Sequence, residues 1–153
     1  MLTLALQTGL RVAELCNLTV DDVDLPDRKL SVHSKGGSIQ CVPLEKKGIK
    51  ALKAYFEVRP QTGSDAPFLN RYGQPLGDRG VRKLVARYAQ ALGLTKNVTP
   101  HTLRHTYTNA KAKKKVTVYE LQQLMRHRFI GTTQRYISEA NFDLATVQEA
   151  TSL

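Results

Sequence analysis

His101-Thr102-Leu103-Arg104-His105 sets an imidazole and a guanidinium three residues apart. On a helix such positions share a face, so a group that exchanges protons near neutral pH and a permanently cationic group project side by side. That pair suits a phosphate. Taken alone, the same residues also read as a histidine near a helix start and a surface arginine. His101 and His105 have metal-ligand spacing, but no glutamate stands in the HExxH place and no thiolate cluster accompanies them, so no metal is expected. Cys16 and Cys41 are the only cysteines and form no CxxC pair, which points away from a disulfide framework or zinc ribbon and toward a reducing cytoplasm.

The elements that must hold these groups can be read from periodicity and caps. Thr99-Pro100 supplies an N-cap and a first-turn proline for the helix carrying His101, Leu103, Arg104, Tyr107 and Ala110. Leu2 to Leu6 form helical turns closed by Gly9, and Arg11 to Asn17 restarts a helix. Lys29–His33 and 39–44 alternate and flank Ser34-Lys35-Gly36-Gly37, which predicts a β-hairpin with Lys35 at its tip. Ile49, Leu52 and Phe56 recur at helical spacing until Pro60. Asp78 is the expected N-cap of a helix whose Val81, Leu84, Val85, Tyr88 and Leu92 form one stripe ended by Gly93. Thr117-x-x-Glu120 predicts a capping box ahead of Leu121, Leu124 and Met125, and a short element is expected around 132–137. The class is therefore α+β and predominantly helical: one compact helical domain with a small antiparallel hairpin near the N-terminus.

The chain has 153 residues and a net charge of +10, with 41% hydrophobic and 24% charged residues, ordinary globular values. No apolar run approaches the roughly 20 residues of a membrane span, and the first residues lack the basic and apolar regions of a secretory signal. Charge is unevenly placed. Residues 71–136 hold fourteen Lys and Arg against Asp78 and Glu120, whereas residues 1–70 are nearly neutral and 137–153 carry three acids and no base. A polyanion is expected on the middle-to-late segment, and nucleic acid is the default, although a charge cluster alone also fits a solvated face.

Several ordered segments sharpen this reading: Thr8-Gly9-Leu10-Arg11-Val12-Ala13-Glu14-Leu15, Lys35 in its Gly-rich turn, His101-Thr102-Leu103-Arg104-His105-Thr106, His127, and Thr132-Thr133-Gln134-Arg135-Tyr136. Together they resemble the catalytic domain of the tyrosine recombinase (phage integrase) family, over essentially the whole chain. The resemblance implies a catalytic set of Arg11, Lys35, His101, Arg104, His127 and Tyr136. A phosphodiester repels an incoming anion, and forked donors such as Arg11 and Arg104 offset its charge where another enzyme would use metal cations. The family's chemistry makes Tyr136 the nucleophile of a 3′-phosphotyrosyl intermediate, His101 a base and later acid, Lys35 the acid that protonates the departing 5′-oxygen, and His127 a donor to a nonbridging oxygen. Glu14 is read as orienting local structure. No metal, nucleotide or other cofactor is implied.

The resemblance further implies double-stranded DNA as partner, a tetramer on DNA formed from monomers free in solution, and a cytoplasmic, nucleoid-associated setting without membrane. Arg79, Arg82, Lys83 and Arg87 are candidate phosphate contacts. Residues 1–153 then form the catalytic domain, without the family's N-terminal DNA-clamping domain, and 137–153, with Phe142, Leu144 and Val147, form a tail that packs on a neighbour or folds back in cis. Two departures stand out. Arg126 replaces the glycine usual before the histidine mapped to His127, removing a residue that tolerates positive φ, and Ala112-Lys113-Lys114-Lys115 replaces a glycine-containing turn. Site-specific recombination or integration is the leading function. A non-catalytic DNA-binding derivative of the fold and a type IB topoisomerase-like relaxing activity are the alternatives.

Overall fold

The computed structural model describes residues 1–33, 37–114, 116–126 and 134. It divides into two compact units, Met1–Arg104 and His105–Leu153.

In the first unit, α1 (Leu2–Thr8) ends where Gly9 adopts φ 59°, ψ 26° and its N–H bonds back to the Ala5 carbonyl. Only glycine takes this left-handed conformation without a Cβ penalty, so the chain stops at Gly9 and restarts as α2 (Val12–Cys16) within three residues. Three short strands follow, β1 (Val23–Asp24), β2 (Lys29–His33) and β3 (Ile39–Pro43), in an antiparallel sheet of order β1-β2-β3. The expected hairpin is β2 with β3, in register Leu30↔Val42 and His33↔Ile39. The two-residue strand β1 was too short to show in the alternation. Leu30 and Val32 are buried and the residues beside them are not, so one face of β2 meets the core.

Helix α3 (Lys46–Val58) packs on α1 and buries Leu52. Helix α4 (Asp78–Ala91) packs on α2 through a face that contains Val81 and Val85. These residues, with Leu4, Leu15, Leu30 and Phe68, belong to one apolar core. Two expectations for α4 need correction. Gly77 is its N-cap, and Asp78 is the first helical residue, where its carboxylate meets the positive helix end and accepts from Arg82 one turn later. The buried stripe is also shorter than the sequence suggests: Val81, Val85 and Ala89 are buried, whereas Tyr88 and Leu92 are exposed because the last turn runs past the core.

Helix α5 (Pro100–Ala112) starts as expected, with the Thr102 N–H donating to the Thr99 hydroxyl at 3.3 Å. The division between units falls inside this helix, after Arg104, where no linker composition marks it. In the second unit α6 (Val118–Met125) opens on the expected capping box. Thr117 N–H donates to Glu120 at 2.7 Å, and Glu120 N–H donates to the Thr117 hydroxyl at 3.2 Å. Tyr107, Ala112, Leu121 and Met125 form this unit's core, and the Thr108 hydroxyl donates to the Met125 sulfur at 3.2 Å. Lys113 and Lys114 form an exposed turn after α5. No helix among the described residues is long and apolar enough to cross a membrane.

Candidate active site

Arg11 is the N-cap of α2, in extended conformation at φ −67°, ψ 153°. Glu14, one turn on, accepts from the Arg11 backbone N–H at 2.7 Å with one oxygen and from its Nη1 at 2.7 Å with the other. The Glu14 side chain is almost buried while that of Arg11 is 43% exposed, so the pair is a fixed anchor under a side chain that still reaches solvent. Glu14 thus orients Arg11, as the sequence suggests.

Arg104 is 7% exposed, an unusual burial for a guanidinium, and such a charge must find acceptors. Its Nη1 donates to the carbonyl of Gly9, the residue that ends α1. Carbonyls left without a partner inside a helix form the negative end of it, which favours a cation. Gly9 lies two residues before Arg11, so this bond brings a residue 95 positions away to the turn that carries Arg11. His101 is exposed on α5, one turn before Arg104. The first unit therefore gathers Arg11 and Arg104 at one turn, with His101 on the same helix as Arg104. Lys35, His127 and Tyr136 lie outside the described residues.

A further pair was not singled out in the sequence. Asp22, buried, joins His33 at the end of β2, with 2.9 Å between Oδ1 and the ring Nε2. Its other oxygen accepts from the Thr19 N–H at 2.8 Å and the Thr19 hydroxyl at 2.9 Å. Burial works against the Asp22 charge, but these Thr19 donors and the His33 ring outweigh it and hold the carboxyl below the usual carboxylate range. Thr19-x-x-Asp22 is a local hydrogen-bonding pattern that could have flagged the carboxylate, though nothing in it points to His33.

On α4, Arg79, Lys83 and Arg87 follow one another four residues apart and are exposed, opposite the buried Val81, Val85 and Ala89. Arg82 is also exposed but is paired with Asp78, which raises its already high pKa through that hydrogen bond and charge. At the end of α6, Arg126 itself adopts φ 53°, ψ 41°, and its N–H bonds back to Gln122 and Gln123. Arginine takes the conformation that glycine would, at the strain of a non-glycine residue.

The model of the phage integrase family matches residues 1–142. The chain belongs to the phage integrase family. Curated relatives include tyrosine recombinase XerC of Thermodesulfovibrio yellowstonii, 35% identical over 144 residues, and tyrosine recombinase XerD of Staphylococcus saprophyticus, 36% identical over 141 residues. Each match takes in 89% of this chain and 48% of the relative, so the chain spans about half the length of the curated relatives it matches. Among solved structures, XerA recombinase aligns with a TM-score of 0.84 at 30% identity, over 94% of this chain and 55% of that one. XerH site-specific recombinase, bound to a palindromic difH substrate in a post-cleavage complex, aligns with a TM-score of 0.80 at 26% identity, over 99% of this chain and 44% of that one. The α+β, helix-rich architecture is that of tyrosine recombinase catalytic domains.

Proposed function

We propose that this chain is the catalytic domain of a site-specific DNA recombinase or integrase that cleaves and rejoins strands through a tyrosine ester. The observation that supports the reading is the Arg104 bond to the carbonyl of Gly9, two residues before Arg11, within a chain of this family. Arg11 and Arg104 fork onto the nonbridging oxygens of the scissile phosphate, and His127 donates to one of them. His101 accepts the phenolic proton as Tyr136 attacks phosphorus. An unperturbed phenol, with a pKa of about 10, needs such a base or a cationic pocket. The P–O5′ bond breaks, and Lys35 gives its proton to the leaving oxygen. A second 5′-hydroxyl then attacks the phosphotyrosyl ester and gives its proton to the now neutral Lys35, His101 returns its proton to the departing phenolate, and the phosphodiester reforms without nucleotide hydrolysis.

The substrate is double-stranded DNA, contacted in part by Arg79, Lys83 and Arg87, with Arg82 a weaker contributor because Asp78 shares its charge. Four copies assemble on paired sites from free monomers, the 137–153 tail contributing to the packing, and the setting is the cytoplasmic nucleoid. The test is to incubate the chain with a nicked suicide duplex in EDTA and resolve the products on a denaturing gel. A covalent adduct that persists in EDTA and is lost in Tyr136→Phe is expected. An adduct unchanged by that substitution, or abolished by EDTA alone, overturns the reading.

A further inference from the structure

We infer that His33 is a positioning residue for the general acid: its bond to Asp22 pins the end of β2, two residues before Lys35 in the chain. The inference rests on the proposed role of Lys35 and adds to it a part of the chain that the catalytic set does not include.

His33 is the last residue of β2 and pairs across the sheet with Ile39, the first residue of β3. That is the last rung at this end of the ladder. Lys35 follows two residues later, so whatever fixes His33 limits where the lysine can be carried. An ionised carboxylate only accepts, so the His33 Nε2 carries the hydrogen and donates to Asp22 at 2.9 Å. The anchor beneath it is firm. Asp22 is buried, holds Thr19 through two bonds, and its backbone carbonyl accepts from the Ser31 N–H at 2.9 Å, on the same strand as His33. The His33 side chain is itself 56% exposed. Its ring contributes little apolar burial, so its value to the structure lies in the bond. An exposed imidazole tied down to a buried carboxylate, on the last paired residue of β2, restrains the strand end and not the core.

The experiment compares the chain with His33→Ala, His33→Gln and Lys35→Ala in two measurements. The first is amide hydrogen exchange across 31–41. His33→Ala should speed exchange at this end of the sheet by about tenfold, the effect of losing a charge-assisted bond, while His33→Gln, whose amide can donate to Asp22, should stay near the parent. The second is single-turnover adduct formation on nicked duplexes with either oxygen or sulfur at the bridging 5′ position. A thiolate leaves without a proton, so a defect in delivering the general acid vanishes on sulfur. His33→Ala should be slowed about tenfold or more on oxygen and restored on sulfur, with unchanged DNA affinity, and His33→Gln should recover most of the rate. Unchanged exchange in His33→Ala, or a slow rate that sulfur does not restore, overturns the inference. If Lys35→Ala is not restored by sulfur, the role of Lys35 fails, and exchange alone then decides whether His33 anchors the strand end.

Discussion

At the residue scale, side-chain placement was legible where it is local. His101 and Arg104 stand out because three residues on a helix define a shared face, and Glu14 because it follows the Arg11 cap by one turn. The acceptor of Arg104 was not legible, since the Gly9 carbonyl lies 95 residues away and a main-chain oxygen leaves no mark in a sequence. The Asp22–His33 bond crosses a turn between strands, and nothing in the local pattern around Asp22 points to His33. Replacing Arg104 by lysine keeps the charge but loses the fork, so adduct formation should fall by about 10²-fold or more in single-turnover assays, with DNA affinity much less affected. Asp22 carries a second expectation. Its folded-state carboxyl titrates below the ordinary value, so it contributes stability above about pH 4 that is lost as pH falls further. Thermal melts between pH 6 and 3 should show that loss in the parent and a shallower pH dependence in Asp22→Asn, whose melting point is already lower at pH 6.

At the scale of elements, caps and breakers were the reliable signals. Gly9, Thr99-Pro100 and Thr117-x-x-Glu120 each mark a helix end by chemistry that acts within four residues, and each stands where expected. The start of α4 was misjudged because an acidic residue serves equally at the cap and in the first turn, and Asp78 takes the second role. Exposure of Tyr88 and Leu92 could not be foreseen, because periodicity gives a helix face but not where its packing partner stops. The left-handed Arg126 yields a direct test. Arg126→Gly relieves the Cβ strain but gives up the side-chain bond from Nη1 to the Leu124 carbonyl at 3.1 Å, a partly exposed contact worth little. Stability should rise by about 0.5–1 kcal/mol, read as a higher denaturation midpoint.

At the scale of the whole molecule, the charge distribution is the dominant feature, with the net excess confined to 71–136. If the exposed α4 row tracks a phosphate backbone, Lys83→Ala and Arg87→Ala should each weaken duplex binding regardless of sequence and lower the salt slope by about one. Arg82→Ala should do less, because its charge is compensated by Asp78 in the free protein. Class and architecture were recoverable from the sequence because the motifs span most of the chain in order. The division inside α5 was not, since a continuous helix carries no boundary signal.

The proposed mechanism requires guanidiniums far apart in sequence to act on one phosphate. It is tested most directly by a crystal structure of the chain with a duplex containing the scissile phosphate. Arg11 and Arg104 should each lie within hydrogen-bond distance of nonbridging oxygens on the same phosphorus. A scissile phosphate held by other side chains, with either guanidinium turned away from it, would contradict that mechanism.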